Sequence, residues 1–134
     1  MVKTKWLISM MLLFAPWTAV PVIANDSTTA GMPQVPTPGF ITMVDLGAHK
    51  CIPCKMMAPI IEELKKEFAG RASIIFIDVW EHREQAGRFG VQAIPTQIFY
   101  DREGNEAGRH VGFMDKKSII EALEKLGVSK RDDQ

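Results

Sequence analysis

The apolar positions of this chain change period along its length, and the changes mark out its elements. Residues Phe40-Ile41-Thr42-Met43-Val44 form a short run of strand formers between Gly39 and Gly47, which predicts a buried strand. Beyond it Met57, Ile60, Ile61, Leu64 and Phe68 recur at helical spacing, with Glu62, Glu63, Lys65, Lys66 and Glu67 on the other face. This predicts an amphipathic helix, kinked at Pro59 and ended by Gly70. Residues 72–79 are too continuously apolar for a surface strand and read as a central one. A short helix over 84–89, closed by Gly90, leads to a strand over 97–100. The turn formers Asp101-Arg102-Glu103-Gly104 then return the chain antiparallel through 106–111. Asp115 is placed to cap a last helix with the stripe Ile119, Ile120, Leu123 and Leu126, ended by Gly127.

The order strand, helix, strand, helix, strand, strand, helix predicts an α/β fold: a mixed four-stranded sheet with helices on both faces. Right-handed crossovers are expected for the first two units and a hairpin for the last. The remaining chain, residues 40–128, suits one domain, expected as a monomer.

The ends of the chain read differently. Lys3 and Lys5 precede an apolar stretch from Trp6 to Ala15, and Val22-Ile23-Ala24 offers a small-residue cleavage site, so residues 1–24 are expected to be a signal peptide. An uncleaved anchor over the 19 residues from Trp6 to Ala24 is the alternative, opposed by Pro16 and Pro21. Residues 25–39 contain three prolines and little periodicity, which predicts an extended tether, and 129–134 form a polar tail. Acidic and basic residues balance at 16 each, and without residues 1–24 the balance is 14 basic to 16 acidic. With no basic patch interleaved with aromatics, nucleic acid is excluded as a partner class.

Only two cysteines occur, in Cys51-Ile52-Pro53-Cys54, between the first strand and the long helix. A thiol at a helix start faces unpaired N–H groups and the positive end of the dipole, which favour the reactive thiolate. Lys50 and Lys55 add a modest, screened contribution. A structural bridge is one alternative, although a loop across two residues gives little entropic stabilisation. Metal is another. Zinc would need two of His49, His82 and His110, whose spacing follows no zinc-ribbon pattern, whereas Cu(I) would find soft donors in the cysteines and in Met56 or Met57.

Further residues extend the pattern. Val44-Asp45 and Ala48 precede the cysteines, Lys55 and Pro59 follow them, and Ile94-Pro95-Thr96 and Val111-Gly112 come later. In this combination residues 40–128 resemble the thioredoxin superfamily, without its usual first strand and helix. The resemblance implies a thiol:disulfide oxidoreductase in which Cys51 is the exposed attacking thiolate and Cys54 the buried resolving thiol. It implies that Asp45 lies beneath Cys54 as a proton acceptor and that Pro95 follows a cis bond. Ile52, Pro53, Ile94 and Pro95 would face the substrate, with the Ile94 backbone pairing to it as an added strand. No cofactor beyond a redox-active Cys51–Cys54 disulfide, and no metal, is implied. The expected setting is a bacterial periplasm. The expected role is a reductase of disulfide-bearing exported proteins, with a membrane thiol-electron transporter and apocytochrome c as further partners. A periplasmic copper carrier using Cys51, Cys54 and His49 or a methionine is the competing function. The chain departs from the resemblance at Gly47 and Lys50, where tryptophans are usual, at Ile52 for a glycine, and at Phe76 for a lysine. Loss of that lysine should raise the proton affinity of Asp45.

Overall fold

The computed structural model describes residues 31–129; the expected signal segment, the start of the tether and the end of the tail lie outside them. The elements are β1 (Ile41–Gly47), α1 (Ile52–Glu67), β2 (Ala72–Asp78), α2 (Arg83–Arg88), β3 (Thr96–Tyr100), β4 (Glu106–Val111) and α3 (Lys116–Lys125). They build a four-stranded sheet in the order β2-β1-β3-β4. Among the described residues no strand or helix precedes β1.

β1 runs three residues past the apolar stretch that marked it, because it is central and has a ladder partner on each side: β2 parallel and β3 antiparallel. Asp45 and Leu46 are thereby carried into the core at 0% exposure. Successive side chains alternate between the two faces of the sheet. Ile41 and Met43 pack with Met57, Ile61, Leu64 and Phe68 of α1 and with Ile119 and Leu123 of α3. Val44, Leu46, Ile75, Ile77 and Ile98 pack on the opposite side with Phe89, which follows α2. The helices therefore cover both faces.

One expected connection is corrected. The first unit joins parallel strands, but β3 runs antiparallel to β1 and hence to β2, so the second unit is no parallel crossover. Leu46 pairs with Ile77 near the end of β2 and with Thr96 at the start of β3. The connection through α2 therefore rejoins the sheet at the end where it left, and α2 with Phe89 covers that face instead of carrying the chain back along β2.

β3 and β4 form the expected hairpin, turned by Gly104 at φ 87°, a conformation that disfavours a side chain. Asp101 Oδ1 accepts the Asn105 N–H at 2.8 Å within that turn. Asp115 caps α3 by accepting the Ser118 N–H at 3.1 Å. The segment read as a tether is partly held against the domain: Val35 is 4% exposed within the second core cluster. Thr37 Oγ1 donates to Ser73 Oγ at 2.7 Å, beside the start of the edge strand β2.

Candidate active site

The cysteines lie where β1 gives way to α1. Cys51 is the N-cap residue of α1, Pro53 lies in the first turn where no N–H is required, and the Lys55 N–H donates to Cys51 O at 3.0 Å. Cys51 and Cys54 are joined as a disulfide, with their Cα atoms 5.2 Å apart. Cys51 was expected to be exposed, and this is corrected: it retains 9% of its surface, against 3% for Cys54. The bond ties its sulfur to the buried Cys54, and Ile94 and Ala48 pack against the pair.

The loop before Cys51 is clamped by Asp78, which stands in the sequence only as the polar end of an apolar strand. Asp78 Oδ2 accepts the His49 N–H at 2.8 Å, and Oδ1 accepts those of Trp80 and Glu81 at 2.8 and 3.1 Å. Burial opposes ionisation, yet these donors hold the carboxyl below its ordinary range. His49, Asp78 and Glu81 also form a group whose ligand atoms lie within 4.8 Å of one another. Both Asp78 oxygens already have backbone partners there. The other two histidines have neighbours of their own, His82 near Glu84 at 3.8 Å and His110 at the Phe113 carbonyl at 3.2 Å.

Asp45 and Gly47 are two residues apart on β1 and therefore share a face. That face meets α1, because a Cβ built on Gly47 would stand 3.3 Å from Cys54 Sγ. Asp45 thus lies below Cys54, one strand repeat deeper. Its register partners are Phe76 on β2 and Gln97 on β3. Burial pushes its carboxyl up to about 6, against the pull of a hydrogen bond from the Gln97 amide. That bond, from Gln97 Nε2 to Asp45 Oδ1, is 2.8 Å long. Gln97 was also missed in the sequence, where it is one polar residue inside a strand.

The Ile94–Pro95 bond is cis. Pro95 is buried, and its carbonyl accepts the Gly112 N–H at 2.7 Å, fixing the loop against the end of β4. Ile52 and Met56, one turn apart on α1, are 76% and 56% exposed, and Val111 and Phe113 flank Gly112 at 59% and 42%. An apolar cavity of about 120 Å³ lies beside Cys54, bounded by Phe76, Ala58, Ile61 and His49.

Comparison with known proteins agrees with this geometry. The thioredoxin family profile matches residues 27–125. The chain belongs to the thioredoxin family. Over 85 residues it is 40% identical to the thioredoxins of Staphylococcus saprophyticus and Staphylococcus haemolyticus, covering 63% of this chain and 81% of each relative. A thioredoxin of Staphylococcus aureus is 39% identical over the same length. As a thioredoxin-family member with a Cys-x-x-Cys pair, the protein is a thiol:disulfide oxidoreductase. It acts on disulfide-bearing proteins through a redox-active disulfide and needs no separate cofactor.

Proposed function

We propose that the protein is an exported reductase, with Cys51 as nucleophile, Cys54 as resolving thiol and Asp45 as the base that serves Cys54. The observation that carries this reading is the stack of Cys51 at the N-terminus of α1, Cys54 behind it and the buried Asp45 below. In the reduced protein the Cys51 thiolate attacks a substrate disulfide, forming a mixed disulfide and releasing one substrate thiolate. Asp45 takes the proton of Cys54, whose thiolate then attacks Cys51 Sγ. The Cys51–Cys54 bond forms, the second substrate thiolate leaves, and two electrons have passed to the substrate.

The exposed apolar residues Ile52, Met56, Val111 and Phe113 support docking of an extended peptide beside Pro95. Export rests on the lysine-flanked apolar segment and the small-residue site ending at Ala24. In an oxidising compartment the disulfide must be reduced again after each turnover, which requires a dithiol donor. A membrane thiol-electron transporter supplies that chemistry, and apocytochrome c is a fitting substrate. Equilibration with glutathione tests the direction. A potential at or below about −200 mV supports the reductase, and one near about −120 mV marks an oxidant and contradicts it. Titration of the reduced protein with Cu(I) tests the copper-carrier reading: stoichiometric binding with negligible disulfide reduction would replace the proposal.

A further inference from the structure

Asp45 and Gln97 face each other across β1 and β3, both at 0% exposure, joined by one hydrogen bond. Each also has a buried oxygen with no partner: Oδ2 of Asp45 and Oε1 of Gln97. Orphaned buried acceptors are costly and call for an explanation. Here the two orphans belong to the same bonded pair, and both are acceptors, so the missing element is a donor. A proton on the Asp45 carboxyl would be such a donor, and the Gln97 carbonyl is the unpartnered acceptor of the same bonded pair. A primary amide can therefore serve both protonation states: its N–H donates to the carboxylate, and its oxygen accepts from the acid. A lysine would favour only the charged form, and a leucine neither.

We propose that Gln97 is the positioning residue of the proton acceptor, holding Asp45 in one orientation whether or not it carries the proton, so that the group can cycle during turnover. This rests on the reading of Asp45 as the base for Cys54. The surroundings leave the task to Gln97. β2 presents Phe76 at this level, and α1 presents Cys54 one strand repeat above it, beside Gly47. The charged neighbours of that cysteine, His49, Lys55 and Glu62, border the cavity, which Asp45 does not line. Burial and the Gln97 bond are the influences on the Asp45 titration.

The test uses the full chain, with Gln97→Leu and Gln97→Met, two apolar replacements of different shape, each checked for native circular dichroism. The Asp45 carboxyl is followed directly by the pH titration of its ¹³Cγ resonance, alongside the pH profile of insulin-disulfide reduction. The bond to the charged carboxylate is the stronger of the two, so loss of the amide should raise the Asp45 midpoint in either folded variant, by up to about one pH unit. The activity profile should move alkaline with it, and in an Asp45→Asn background the same replacements should leave the profile unchanged. An unmoved ¹³Cγ midpoint overturns the proposal, as does an equal loss of activity in the Asp45→Asn background. A moved midpoint with an unmoved activity profile supports the hold of Gln97 on Asp45 and removes Asp45 from catalysis.

Discussion

Gly47 and Phe76 occupy adjoining space beside Cys54: a Cβ at position 47 would stand 3.1 Å from Phe76 Cε2. The two departures from the family pattern therefore belong together, the absent side chain at 47 leaving room for the ring at 76. Gly47→Ala should overpack this point at a cost of about 1–3 kcal/mol. Restricting the unfolded chain returns about 0.4–1 kcal/mol, so a net destabilisation of about 1 kcal/mol is expected in urea unfolding. Adding Phe76→Leu should recover most of it; a neutral Gly47→Ala would show that the ring yields freely.

The buried carboxyl sets a pH dependence of stability. The folded-state pKa of Asp45 is raised from 3.8 to about 6. Its contribution is fully present below the unfolded value and is lost as pH rises through the folded one. Asp45→Asn should therefore gain stability over the parent as pH rises from about 4 to 7, by on the order of 2–3 kcal/mol. Parallel stability curves for the two proteins would contradict this.

The same substitution separates stability from catalysis. Asp45→Asn should fold and still form mixed disulfides through Cys51, but resolve them slowly, with a turnover loss of about 10²-fold near neutral pH. An unchanged rate between about pH 6 and pH 9 would remove Asp45 from the mechanism.

Asp78 holds three backbone N–H groups at the loop entering Cys51. Asp78→Ala leaves those donors without their carboxylate and should cost about 2–3 kcal/mol in chemical denaturation. A loss below about 0.5 kcal/mol would show that the loop finds other partners.

Where local chemistry decides, the chain could be read directly. The cap at Asp115, the turn at Gly104 and the α1 stripe depend on neighbours within a few residues. Met57, Ile61, Leu64 and Phe68 are accordingly buried, although Ile60 at the edge of the stripe is only half-buried. The direction of β3 was not legible, because it is set by the antiparallel pairing of Thr96 to Tyr100 with β1, a partner at least 50 residues away. The extension of β1 through Asp45 comes from partners on both sides, which an apolar count cannot register. For the site, the spacing of Cys51 and Cys54 and the placement of Asp45 could be read in advance. Gln97 and Asp78 could not, since Gln97 meets Asp45 from 52 positions away and Asp78 reaches the loop before Cys51 through His49, 29 positions away.

The central claim is that Cys51 attacks and Cys54 resolves. Cys54→Ala, reduced and mixed with a disulfide-bearing protein, should accumulate a mixed disulfide that reductant dissolves and peptide mapping assigns to Cys51, while Cys51→Ala traps little. Equal trapping through Cys54 in Cys51→Ala, or none in either variant, would contradict the account.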